Sequence, residues 1–312
     1  LSSKKSYLIE SLRNIAFEIK DAKKLKKNNA TGIILNMILM NYKFFSLIII
    51  TLSTYAFSNS STILDALETE EGFEISIFLD NIESPRQMTE SDAGNIFVGS
   101  RTAGTITAID TKNRKRVIAS GLSNSTGVTY HDGDLYFSEV DKIWKIEDID
   151  TKLKSKTKSN QFEKVLITDN LPSDTWHGWK WIDFGPDGAL YISEGVPCNV
   201  CDEDDPRYGT ILKLENNNLS IFADGVRNSV GFDWHPVSQE MYFTDNGRDW
   251  MGDDIPPCEL NRVVNAGDHF GFPFIHGKNI SDYKFKAPED YTFSQPVWVF
   301  QAHTAPLGIK FY

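Results

Sequence analysis

Basic residues are in short supply. The 312-residue chain sets 32 lysines and arginines against 43 aspartates and glutamates, a formal net charge of −11. Nucleic-acid-binding proteins carry a basic stripe, so this balance argues against that class of partner. The few cations are also unevenly spread: Lys4, Lys5, Lys20, Lys23, Lys24, Lys26 and Lys27 crowd residues 1–30. Cysteine is scarce, with only Cys198, Cys201 and Cys258. One C-x-x-C pair without an H-x₃-H partner offers too few ligands for a structural zinc. In an exported chain a disulfide is the natural use of such a pair. A Cys198–Cys201 bridge would close a very small loop, and Cys258 is an alternative partner for either thiol. Spacing alone leaves that pairing open. Helical periodicity is nearly missing too, with residues 6–20 its one candidate. That lack points to β structure through the remainder.

The start of the chain does not read as a domain. From Met40 the residues run MNYKFFSLIIITLSTYAFSNSS, with one lysine, an apolar stretch over Phe44–Leu52, then small polar residues. This is signal-peptide grammar. Residues 1–39 therefore read as an upstream extension, 40–58 as a signal peptide and 70–312 as the folded domain. The alternative is one membrane anchor over Ile33–Leu52, interrupted by Asn36, Asn41, Lys43 and Ser46. The body is expected to be secreted or periplasmic, with a membrane contact only if the apolar segment stays uncleaved. Asn59, Asn124, Asn218 and Asn279 sit in N-x-S/T sequons, which matter only in a eukaryotic secretory route.

From Phe73 the chain repeats itself. Each unit opens with a short strand, turns at a Gly or Asp-Gly, adds a strand with an aromatic and then alternating strands. The openings are Ser84–Met88, Ser125–Tyr130, Trp179–Phe184 and Ser229–Trp234. The turns include Ala93-Gly94, Asp132-Gly133 and Asp187-Gly188, and Ala305–Tyr312 looks like the opening strand of a fifth unit. Short strands repeating about every 40–50 residues are the mark of propeller blades. Stacked radially, each blade buries its faces on its neighbours. Four and a fraction units do not close a usual ring. The expected fold is all-β, a six-bladed propeller cut after about four blades.

Loops at one end of a propeller converge on its axis, so polar residues flanking the inner strands are site candidates. His177, in TWHGWKW, precedes the inner strand of unit three, and imidazole is a base near neutral pH. The plainer reading is a histidine packed among Trp176, Trp179 and Trp181. Arg227 and Asn228 hold the same place in unit four, where Arg227 offers a planar fork to a carboxylate or substrate oxygen, or an inter-blade salt bridge. His303 holds it before unit five. His235 reads as a turn residue, and His131, His269 and His276 as surface or loop residues. The main-chain oxygens around Gly247 and Arg248 suit Ca²⁺, which takes six to eight oxygen ligands. Asp253, Asp254 and Glu259 could supply a second Ca²⁺, or be solvated loop acids. The run Asp202–Asp205 reads as a solvated loop.

Several of these segments together resemble the glucose/sorbosone dehydrogenase family, nearest its sorbosone branch. They are WHGWKWIDFGPDGALY from Trp176, the Cys198–Cys201 loop, GVRNSVGFDWHP from Gly225, FTDNGRD from Phe243 and APLG from Ala305. The resemblance covers Phe73 to Tyr312. It implies a soluble six-bladed quinoprotein that oxidises a sugar or sugar aldehyde with pyrroloquinoline quinone and Ca²⁺, passing electrons to an external acceptor. It implies His177 as catalytic base, Arg227 and Asn228 at the quinone, with Arg227 steadying a developing oxyanion, and the Gly247 and Arg248 carbonyls on the catalytic Ca²⁺. The second carbonyl position is proline in the glucose dehydrogenases. Val230 stands where those enzymes have a glutamine. The family's basic clamps on the quinone carboxylates belong to later blades. Two other functions share the scaffold: a Ca²⁺-dependent lactonase, which needs acids and amides on the axis, and a non-catalytic extracellular binding module.

Overall fold

The computed structural model describes residues 64, 66–155 and 161–312. The extension 1–39, the signal segment 40–58 and the helical candidate 6–20 lie outside the described residues. The chain divides into two units, Leu1–Phe78 and Leu79–Tyr312. Of the first, residues 64 and 66–78 are described, and Thr69 Oγ1 donates to the Phe73 carbonyl at 3.0 Å there. Every named strand lies in the second.

Blade one is β1 (Pro85–Glu90), β2 (Ile96–Ser100), β3 (Thr105–Ile109) and β4 (Lys115–Ser120). Blade two is β5 (Val128–His131), β6 (Asp134–Ser138) and β7 (Ile143–Ile146), then a six-residue helix α1 (Ile149–Lys154), then β8 (Val165–Thr168). Blade three is β9 (Ile182–Phe184), β10 (Leu190–Glu194), β11 (Thr210–Glu215) and β12 (Asn218–Asp224). Blade four begins with β13 (Phe232–Trp234), β14 (Met241–Asp245) and β15 (Pro257–Arg262). The chain then leaves this blade. β16 (Asp268–His269) adds in parallel to β12 of blade three, and β17 (Ile275–His276) and β18 (Ile280–Ser281) form a small hairpin. Only then does β19 (Trp298–Ala302) return as the outer strand of blade four. The described residues therefore form an all-β propeller arrangement of four blades, three of four strands and one to which β16 adds a fifth. The expected units are the observed blades, except that β5, β9 and β13 each start three residues later than the expected Ser125–Tyr130, Trp179–Phe184 and Ser229–Trp234, and blade four's outer strand comes from beyond a long excursion.

Turn chemistry accounts for the hairpins. A two-residue mirror-image turn needs positive φ at both central positions, which Asp, Asn and Gly supply most readily. Asp132 (φ 49°) and Gly133 (φ 89°) join β5 to β6, and Asn216 (φ 50°) and Asn217 (φ 62°) join β11 to β12. A blade flanked by a neighbour on each face can bury a middle strand on both sides, so that the strand does not alternate, as in blade three. In β10 all five residues are buried. Three apolar cores fill the three blade junctions. Phe97, Ile106 and Ile118 meet Val128, Phe137 and Ile146 between blades one and two. Ile143 meets Ile182, Ile192 and Leu212 between two and three. Tyr191 and Ile211 meet Phe232, Met241 and Phe243 between three and four.

Polar side chains stitch the inner strands. The Gln87 amide nitrogen donates to the Ile182 carbonyl at 2.6 Å, while its oxygen accepts from Val128 N at 3.3 Å and Ile182 N at 3.1 Å. One buried amide so ties three blades. Thr129 Oγ1 donates to Asp183 at 2.7 Å across the next junction. The fifth opening strand expected at Ala305–Tyr312 does not form as a strand, but residues 307–311 lie against β13 and β14. Leu307 O accepts from Thr244 Oγ1 at 2.6 Å, Phe311 N donates to Asp233 at 2.8 Å, and Lys310 pairs with Asp233 at 2.9 Å.

Candidate active site

The second strands of the four blades end at Ser100, Ser138, Glu194 and Asp245. The residues just beyond, and those just before the inner strands, build the site. In blade four Asp245 accepts from the backbone N–H groups of Arg227 (2.9 Å) and Asn228 (2.7 Å). That pair of bonds fixes the Arg-Asn step ahead of β13. The Val196 N–H donates to the Arg227 carbonyl at 3.0 Å, and the Val196 carbonyl meets His177 Nδ1 at 2.8 Å. His177, Arg227 and Asn228 are thus brought together through one short segment, Gly195-Val196. Gly195 has to be glycine: a Cβ there would lie 2.6 Å from His177 Cβ and 3.1 Å from Asn228 Oδ1.

His177 is buried and its backbone is left-handed, φ 54°. A non-glycine residue held in that region is uncommon, though turn residues such as Asp132 and Asn216 share it here. Both readings of this residue have support, because Trp176 and Trp179 do flank the ring, at 5.8 and 5.6 Å between centroids. A carbonyl only accepts, so Nδ1 carries the hydrogen and Nε2 the lone pair. Burial, then the Arg227 charge, pushes the imidazole down to about 4. It is neutral, and able to take a proton, at neutral pH.

Arg227 is buried and largely engaged. Nε donates to Asn199 O at 2.8 Å, Nη2 to Asn199 Oδ1 at 3.0 Å and Nη1 to Asn246 O at 3.1 Å. A guanidinium has five N–H groups, so two are left for a ligand. Asn199 lies within the Cys198–Cys201 disulfide. This settles the open pairing and gives the small loop a job, since Asn199 also links to Asp249 through Asp249 N (2.8 Å) and Asp249 O (3.1 Å). Cys258 is a buried free thiol, 3.4 Å from the Gly247 N–H.

The Gly247-Arg248 turn is held from behind. A Cβ on Gly247 would sit 2.8 Å from Pro257 O. Arg248 is 1% exposed, paired through Nη1 with Asp282, with Nη2 donating to Tyr283 OH at 3.2 Å. Asp282 also meets His276 Nε2 at 2.9 Å. His276 is therefore a buried structural residue, not the surface or loop residue expected; an H-x₅-D spacing carries no local mark. His269 is likewise partly enclosed, edge-on to Tyr291 and Phe293 and stacked on Phe274. His303 stays exposed, its Nε2 2.9 Å from Gly252 O.

The proposed second acid cluster does not assemble. Asp253 and Asp254 are exposed, whereas Glu259 is buried. Among the described residues, only Cys198, Cys201 and Glu203 bring three acid, thiol or imidazole ligand atoms within 4.8 Å of one another, and two of those are spent in the disulfide. Glu259 instead stands directly opposite Asp245 in the β14–β15 ladder. Its Oε2 accepts from Asn261 at 2.9 Å and its Oε1 from Gly277 N at 2.6 Å. Burial and the facing Asp245 charge push Glu259 up to about 7, and burial pushes Asp245 up to about 6. Asp202, Glu203 and Asp204 are exposed, as the loop reading expected, while Asp205 pairs with Arg207.

The axial channel, about 980 Å³, is lined in part by Arg86, Arg101, Trp179, Asn228 and Asn246. Asn228 Oδ1 and Asn246 Oδ1 are buried with no hydrogen-bond partner. Such orphaned acceptors are costly unless a ligand satisfies them.

The glucose/sorbosone dehydrogenase family matches residues 82–312 of this chain. The chain belongs to that family. The match runs from the loop before β1 to Tyr312 and takes in every residue of the site just described. An uncharacterised protein of Borreliella burgdorferi is 39% identical over 262 residues, covering 80% of this chain and 68% of its own. Among solved structures, the quinone-bound aldose sugar dehydrogenase of Streptomyces coelicolor is 22% identical with TM-score 0.57, covering 73% of this chain and 71% of its own. The calcium structure of a Trichoderma reesei carbohydrate-active enzyme of family AA12 is 18% identical with TM-score 0.63, covering 78% and 74%. At these identities the solved structures share the fold. Family membership makes the chain an oxidoreductase of the sugar dehydrogenase type.

Proposed function

We propose that this family member is a quinoprotein that oxidises a sugar or sugar aldehyde, of the aldose or sorbosone type, with pyrroloquinoline quinone and Ca²⁺. One observation carries the reading: a neutral histidine, an arginine with two N–H groups left over and an asparagine whose side-chain oxygen has no partner meet around Gly195-Val196, close to the Gly247-Arg248 turn. The residues fit the cofactor pair. Among the described residues nothing donates to the Gly247 or Arg248 carbonyl, so both oxygens are free for a hard cation. Asn228 Oδ1 is a buried acceptor awaiting a donor or an ion. When bound, the quinone takes up the electrons and Ca²⁺ polarises it.

The chain's own groups do the rest. His177 Nε2 takes the proton of the sugar hydroxyl, while Nδ1–H stays on the Val196 carbonyl and fixes the tautomer. The two remaining Arg227 N–H groups face negative charge as it develops on that oxygen. Asn199 keeps the guanidinium oriented. Burial of the ring, edge-on to Trp179, and then the Arg227 charge lower its affinity for protons. We further propose that the protein works outside the cytoplasm, because the Cys198–Cys201 disulfide suits an oxidising compartment. Its partners would be a small sugar and an external electron acceptor.

The direct test is reconstitution. The chain mixed with quinone and Ca²⁺ should bind the quinone, seen as a change in its absorbance, and oxidise aldoses with an artificial acceptor. Removing Ca²⁺ with a chelator should abolish turnover, and added Ca²⁺ should restore it. Lactone hydrolysis without quinone, or no binding of the quinone at all, would overturn the reading. A second expectation concerns Asn199. Asn199→Ala removes its side-chain contacts to Arg227 and Asp249. A lost hydrogen bond to a charged group costs about 1.5–3 kcal/mol, so kcat/KM should fall by about 10–100-fold. Steady-state kinetics with a thermal melt would check this: an unchanged kcat/KM would show that Arg227 needs no such support.

A further inference from the structure

Two arginines of the channel stand without an ion pair among the described residues, although Glu90 and Asp183 also line it. Arg101 follows directly on β2, and its guanidinium carbon lies 3.8 Å from the centroid of the Trp179 ring. Trp179 in turn packs edge-on to His177. Arg86, on β1, lines the same channel and spends Nη1 on its neighbour's carbonyl, Pro85 O, at 2.9 Å. Among the described residues neither arginine forms an ion pair with a carboxylate. This is notable in a chain with 43 acids and 32 bases, where anionic partners abound. Burial and the charge of Arg86 both work against protonated Arg101. Arg86 is exposed and Arg101 half-buried, so the cost falls on Arg101, which is partly desolvated beside a like charge, and an anion there would relieve both effects. An indole under the guanidinium fixes its plane and leaves its N–H edge for a ligand.

We propose that Arg101, backed by Trp179 and accompanied by Arg86, is a carboxylate-binding subsite of the channel. A planar fork matches a carboxylate in bidentate fashion, where a lysine would give only a point charge. The inference rests on the proposed function for what brings the carboxylate: either the quinone's own acid groups or the acid group of a uronic-type sugar. The channel's other lining residues fit both, because Asn228 and Asn246 offer unpartnered amide oxygens to hydroxyls of the same ligand.

The experiment is calorimetric binding of the quinone, of D-glucuronate and of D-glucose to wild type, Arg101→Met and Arg101→Lys, with thermal melts to confirm folding. If the carboxylate is the cofactor's, Arg101→Met should weaken quinone binding about 10–100-fold, with Arg101→Lys recovering only part. If it is the substrate's, glucuronate binding should weaken by that factor while glucose and quinone binding hold. Trp179 fluorescence should report whichever ligand seats there. Wild type that binds glucuronate but no quinone, with Arg101→Met abolishing it, upholds the subsite while sinking the cofactor assignment. Wild type binding neither acid, or folded Arg101→Met binding both unchanged, overturns the proposal.

Discussion

His177→Ala is expected to lower kcat by about 10²–10⁴, the range lost with a positioned proton acceptor. Quinone and Ca²⁺ binding should hold, because the ring's Nδ1 is spent on Val196 and its Nε2 faces the substrate hydroxyl. The pH dependence sharpens the test. The imidazole sits at about 4 in the folded chain, against 6.5 ordinarily. The acid limb of kcat/KM in wild type should therefore fall near pH 4 to 5, not near 6.5. The same shift has a stability consequence. Between pH 6.5 and 4 the unfolded chain binds more protons at this residue than the folded chain, so stability rises with pH there. As pH falls through that window stability is lost, because the unfolded chain takes up a proton that the buried ring refuses. His177→Ala should remove this part of the acid sensitivity. A purely packed histidine predicts something else: a lower melting temperature and wild-type kcat per folded molecule. Both quantities measured on one preparation decide it.

How far the site could be read before the fold was known depends on which bonds hold each group. His177, Arg227 and Asn228 stand next to short inner strands in a repeat, so their convergence follows from blade geometry. What brings them into register does not. Gly195-Val196 bridges them through main-chain atoms, which leave no trace in residue type. The role of Asn199 was masked in the same way: the C-N-V-C spacing marks the loop but not what its asparagine touches. Asp253 and Asp254 illustrate the opposite failure. Acids close in the chain to Glu259 look like a ligand set, yet Glu259 sits inside a ladder and the other two on an exposed turn. The outer strand of blade four was hidden for a topological reason. Residues 263–297 first serve blade three and a hairpin, and repeat spacing has no means of signalling such a detour.

Lys180 shows what a closer look at alternation would have found. In the run Trp179–Phe184, a period of two puts Lys180 on the side of Ile182, which is core. The structure buries the ammonium completely: Lys180 and Glu194 side chains are 0% and 1% exposed, joined at 2.8 Å, with Nζ also donating to Gly178 O at 2.8 Å. Lys180→Met keeps the volume and removes the charge. It leaves Glu194 buried without its cation, and breaking such a pair costs about 3–5 kcal/mol. At about 2–4 °C per kcal/mol for a domain of this size, the melting temperature should drop by about 10 °C. The loss should depend on pH in a definite direction. Burial raises Glu194 to about 7 even beside Lys180. A raised carboxyl stabilises the folded state at low pH and loses that contribution as pH rises through the folded value. Without Lys180 the carboxyl is pushed higher still, so the variant should be hurt most at pH 8 and least at pH 5, where Glu194 can stay protonated. Glu194→Gln in the Lys180→Met background should recover much of the loss at pH 8, since the amide has no charge to bury. Urea melts of the three chains at both pH values would measure this, and an equal penalty at pH 5 and pH 8 would show that packing, not charge, holds the junction between His177's loop and β10.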